Sequence, residues 1–105
     1  MQDKNAKIDE KLRARKCFEA GVQNLAFLHL VSREFARAEI KKALVDLGYI
    51  AQSTTELYVP MLDRLARGIA KECARLAATP PAERPAFRAY LLISGITKFE
   101  NHDQF

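Results

Sequence analysis

From Pro60 to Ala78 the chain reads PMLDRLARGIAKECARLAA, and this stretch limits the possible folds more than any other. Met61, Leu62, Leu65, Ala66, Ile69, Cys73, Leu76 and Ala77 recur at intervals of three and four, the period of a helix with one apolar face. Thr79-Pro80-Pro81 ends it, because a residue preceding proline is pushed out of the helical region. A helix of this kind is stable only when its stripe is buried against something else. The rest of the chain offers other helices for that purpose. It contains no alternating apolar–polar run that would make a sheet, and no internal repeat.

Upstream, a helix is expected over about 7–31. Its first half carries only Ile8 and Leu12 among Lys4, Lys7, Lys11, Arg13, Arg15 and Lys16, so that half should project. Its second half places Phe18, Val22, Leu25 and His29 on one stripe, with Phe27, Leu28, Leu30 and Val31 on the other sides. A helix apolar all round is one covered all round, which makes its last two turns central to the core. Ser32 is positioned to cap a second helix over 34–47, with Glu34 in its first turn, and Gly48 follows as the stop. Ser53-Thr54-Thr55-Glu56 matches a capping box. A third helix is therefore expected over 54–78, kinked near Pro60; a fresh start with Pro60 in the first turn is the alternative. A fourth, over 82–99, is apolar on several sides through Phe87, Tyr90, Leu91, Leu92, Ile93, Ile96 and Phe99, so it is either well buried or shared with a partner. The expected fold is all-α, a compact bundle of four helices in one domain spanning 1–105, with 1–6 and 100–105 as flexible ends.

At 105 residues the chain is long enough for a hydrophobic core, and 49% apolar with 29% charged residues is ordinary globular composition. Apolar runs such as Tyr90–Ile93 are far shorter than the about twenty residues a membrane span requires. The charged N-terminus is unlike a secretory signal. Cys17 and Cys73 fit no metal-ligand spacing and are too few for a disulfide scaffold; they read as two reduced, mostly buried thiols of a cytoplasmic protein.

Chemistry is sparse. His29 has no His, Cys or carboxylate three or four residues away, and His102 sits in the tail. Ser32 and Ser53 serve better as caps than as nucleophiles. The glycines at 21, 48, 68 and 95 are scattered, so no phosphate-cradling loop is present. No catalytic residue, metal site or cofactor is expected. An enzyme would need a pocket bringing His29 to Cys17 or Cys73.

The positive signal is charge. Seventeen Lys and Arg stand against thirteen Asp and Glu, a net +4. Two rows concentrate it: Arg33, Arg37 and Lys41 on the second helix, and Arg64, Arg67, Lys71 and Arg75 on the third. At 100° per residue Arg64, Lys71 and Arg75 fall within about 40° of one another, opposite the apolar stripe. Aligned cations suit a phosphate backbone; on most helices they are a solvated face. The run RAEI at 37–40, Leu47-Gly48 and RLARG at 64–68 loosely resemble the DNA-binding domain of the bacterial SOS repressor. That family continues with a strand pair, whereas IAKECARLAA here continues as helix, and no membership is drawn from the likeness. The expected function is that of a small non-enzymatic binding protein. It is read first as a nucleic-acid-associated regulator, homodimeric, that uses these seven cations. The alternative is a protein-interaction module docking through a helical face.

Overall fold

The computed structural model describes the backbone of residues 2–95 and the side chains of residues 9–95. Four helices make up the fold: α1, Gln2–His29; α2, Arg33–Asp46; α3, Val59–Ala77; and α4, which begins at residue 89 and continues to the last described residue, 95. Among the described residues there is no strand, so the all-α bundle expected from periodicity is the fold. No helix among them is long and apolar enough to cross a membrane.

α1 is the central element. Its buried stripe of Ala14, Phe18, Val22, Leu25 and Ala26 packs on both α2 and α3, while no Cα of α2 comes within 8 Å of one in α3. The core is completed by Ile40 and Leu44 from α2, by Leu65, Ile69 and Leu76 from α3, and by Ala89 and Ile93 from α4. α1 and α3 approach closely at Gly21, where a Cβ would stand 3.1 Å from Ile69 Cγ2. None of residues 9–13 is buried. The N-terminal part of α1 extends beyond the core, as its sparse apolar content implied.

The ends of the elements show the local chemistry. Ser32 Oγ accepts from the Phe35 amide at 3.0 Å, as an N-cap should. α2 stops where Gly48 turns left-handed at φ 83°. The Gly48 amide then bonds to Val45 O and the Tyr49 amide to Leu44 O, the paired bonds of a Schellman end. α1 ends with the same pair, Leu30 N to Phe27 O and Val31 N to Ala26 O. Here a leucine occupies the left-handed position, at φ 59°.

Several boundaries differ from the sequence reading. α1 starts at Gln2 rather than about Lys7, because no glycine or proline precedes Gly21 and nothing stops helix propagation. α3 starts at Val59, capped by an extended Tyr58, with Pro60 in the first turn. There its missing N–H would have had no partner anyway, so the kinked helix from 54 does not form. The capping box is absent too. The Ala51 amide donates to Thr54 Oγ1 and the Thr54 amide to Ala51 O, closing a local turn, and Glu56 reaches α1 instead. Residues 82–88 are not helical apart from one 3-10 turn, Pro81–Glu83. Arg84, which precedes Pro85, is extended with ψ 133°, the conformation a following proline imposes. Its Nε donates to Leu76 O and Thr79 O, tying this segment to the end of α3. Residues 96–105, including the expected end of the fourth helix, lie outside the described residues.

Two side-chain expectations are also corrected. Cys73 is buried but Cys17 is exposed, and both are free thiols. The last turns of α1 are not covered all round: Phe27 is 74% and Leu30 90% exposed. The neighbouring elements cover one side of that helix end only.

Candidate interaction surfaces

The seven cations singled out by spacing are divided between two helices whose Cα atoms nowhere come within 8 Å of each other. On α2, Arg33 Nη2 lies 3.4 Å from Glu34 Oε2. Arg37 donates from Nε and Nη2 to Glu19 Oε1 on α1, at 3.2 and 2.8 Å. Lys41, one turn further along, is exposed. On α3, Arg64 is half-buried, whereas Arg67, Lys71 and Arg75 face solvent, as expected opposite a stripe of Met61, Leu65, Ile69 and Cys73. Arg75 forks onto Glu72, with Nε to Oε1 at 3.1 Å and Nη2 to Oε2 at 2.5 Å. Arg33, Arg37 and Arg75 therefore already hold carboxylates, which partly neutralise the charge they offer to a phosphate. Lys11 and Arg15 on α1 are similarly engaged by Glu56, whose carboxyl the Lys11 hydrogen bond and charge hold below its ordinary range. The linker from Leu47 to Tyr58 separates α2 from α3. The tight corner of a helix-turn-helix, with its two helices packed at an angle, is not formed.

A second feature was hidden in the sequence. The segment 85–88, which lies outside any helix before α4, meets the end of α1. His29 Nδ1 lies 3.1 Å from Pro85 O. The His29 and Phe87 rings are 5.3 Å apart, and Phe87 meets Phe35 edge-on at 6.3 Å. A groove of about 550 Å³ opens beside this aromatic group, lined by His29, Phe87, Leu91, Arg75, Arg88 and Glu72, among others. Leu91 is 60% and Phe35 48% exposed. Phe27 and Leu30, at the same end of α1, are exposed too, so this end of the helix carries an apolar corner. Its signal in the sequence was the all-round apolar pattern of residues 25–31, ending without a glycine. The pattern indicates that something covers those residues, but not whether the cover belongs to this chain.

His29 is half-buried, and burial lowers its pKa below the ordinary 6.5. The Pro85 carbonyl and Glu72 oppose that shift, and the Arg75 and Arg84 charges add to it. With the folded pKa below the unfolded one, the unfolded chain takes up the proton first as pH falls. His29 therefore costs stability progressively below about pH 6.5 and nothing above about pH 7.5. In urea titrations, the wild-type protein should lose stability between about pH 7.5 and 5 relative to His29→Leu, which lacks this group. Parallel pH profiles for the two proteins would contradict the assignment.

Neither cysteine lines the groove at His29; the Cys73 thiol is buried, which raises its pKa, and it shares a hydrogen bond with Asn24. Among the described residues no three His, Cys, Asp or Glu side chains gather as a metal site. In comparisons with known proteins, no family model matches the chain, and neither does any curated protein or solved structure.

Proposed function

We propose that this chain is a non-enzymatic helical interaction module that docks on a protein partner through the apolar corner at the end of α1. The observation that carries this reading is Leu30. It occupies a left-handed backbone position that costs a branched side chain about 1–2 kcal/mol, and it is 90% exposed. Neither its conformation nor its burial in this chain accounts for a leucine there, and Phe27 beside it is 74% exposed. Strain and exposure together fit a side chain used in binding. Phe35 and Leu91 are further exposed apolar side chains, and Arg33 and Arg88 lie close to them in the chain. The partner expected is an apolar patch with an acidic border.

The exposed face of α3 keeps a second reading open. Arg67, Lys71 and Arg75 face solvent over two turns, as a phosphate-tracking surface would require. The carboxylates already holding Arg33, Arg37 and Arg75 place this reading second.

One experiment separates the two. A photo-crosslinking phenylalanine analogue at Phe27, in the native cell and followed by nuclease treatment, should give one discrete protein adduct. The adduct should vanish with Leu30→Asp and be absent when the analogue replaces Arg13 on the projecting half of α1. Identical adducts from both positions would overturn the docking surface. An adduct that disappears on nuclease treatment would favour the nucleic-acid reading, and one of twice the chain's mass would make the partner a second copy.

A further inference from the structure

The Cα atoms of α2 and α3 nowhere come within 8 Å of each other, and a gap opens between the two helices. The linker partly roofs it, leaving a groove of about 400 Å³, within the range of small-molecule sites. Its floor is the core itself: Phe18 of α1, Ile40 and Leu44 of α2, and Leu62 of α3. Leu57 from the linker forms its outer wall. None of these residues belongs to the apolar corner at the other end of the bundle.

The rim is charged and unequal. Arg15, Arg37 and Lys41 line it against Glu19 and Glu56, three cations to two anions. Arg15 shares Glu56 with Lys11, and Arg37 is held by Glu19, so the rim keeps an excess of positive charge with Lys41 at the groove. Lys41 and Arg37 are one helical turn apart and so stand on the same side of α2. The Arg37–Glu19 pair employs Nε and Nη2, two of the nitrogens of a group with five N–H donors. A carboxylate at this rim would find the Lys41 ammonium and further guanidinium donors without breaking either ion pair.

We infer that this groove is a binding site for a small amphipathic monoanion, a carboxylate with an unbranched or aromatic apolar body. The body lies over Phe18, Ile40, Leu44 and Leu62 beneath Leu57, and the head pairs with Lys41 and Arg37. A partner helix, about 10–12 Å across with its side chains, needs an open trough, and the linker stands in its way.

The test uses decanoate as the probe, at monomeric concentrations, with decyltrimethylammonium as its cationic counterpart, followed by methyl NMR of the full chain. Decanoate should shift the methyl signals of Ile40, Leu44, Leu57 and Leu62, saturating at about 1 mM or below, while the cationic probe leaves them in place. Lys41→Glu, at an exposed position that folding does not depend on, should weaken decanoate by about tenfold or more. Leu57→Trp, which fills the groove from the linker side, should block it. The inference is overturned if no saturable shift is seen, if both probes act alike, or if the shifts centre on Leu28 and Leu30 instead. Shifts produced by an acidic leucine-rich peptide but not by decanoate would also overturn it. None of these outcomes bears on the crosslink at Phe27, so the two assignments stand or fall separately.

Discussion

Gly21→Leu is expected to destabilise the protein by about 3 kcal/mol, among the largest effects of any single change at a helix interface. α1 and α3 approach closely at Gly21, and a Cβ there would lie 3.1 Å from Ile69 Cγ2. Ile69 is fully buried, so it has no free volume into which to retreat. Alanine is the wrong probe, because its gain in helix propensity, about 1 kcal/mol over glycine, offsets the crowding. Leucine adds bulk that propensity cannot offset. Ile69→Ala on its own should also cost about 3 kcal/mol, by losing buried methyl groups and leaving a cavity. Combined, the two should cost less than their sum by about 1 kcal/mol or more, since the leucine can occupy the space the isoleucine vacates. Urea denaturation of the four proteins measures this coupling. Strict additivity would mean that the two residues do not meet.

The second large effect has the opposite sign on stability. Leu30→Gly should make the protein more stable by about 0.5–1 kcal/mol. Relief of the left-handed strain outweighs the greater freedom of glycine in the unfolded chain. Almost no burial is forfeited, because the leucine is 90% exposed. The other left-handed helix end in the molecule, at Gly48, already has the residue this geometry favours. The same substitution should reduce the Phe27 crosslink about tenfold, if Leu30 supplies apolar contact to the partner. A variant that is more stable and binds less is the signature of a residue kept for function against folding. No gain in urea midpoint would mean that the backbone at 30 is unstrained, and undiminished crosslinking would remove Leu30 from the interface.

The basic rows show how far spacing alone can carry a functional reading. The angular alignment on α3 was legible, since Arg67, Lys71 and Arg75 do face solvent. What spacing could not reveal was Glu19, eighteen residues from Arg37 in the chain and 2.8 Å from it in space, or Glu56, brought from the linker to Lys11 at 2.7 Å. Arg37, counted as available along α2, is engaged by a carboxylate of α1.

Periodicity and end chemistry by themselves determined that the chain is helical, most of the residues by which α2 and α3 form the core (Leu47 and Ala66 are only half-buried and Ala77 is exposed), that Ser32 opens α2 and that Gly48 closes it. These depend on neighbours within one or two turns, which the order of residues states directly. Tertiary structure alone decided where α3 begins, because a capping box and a proline competed for the same start and the contact of Glu56 with α1 satisfies the glutamate without the box. It alone decided that Phe27 and Leu30 stay in water, since coverage depends on which helices lie alongside. And it alone decided that α2 and α3 stand apart, with no Cα of one within 8 Å of the other. The groove between them, with Lys41 at its rim, follows from that arrangement and from no local pattern of residues.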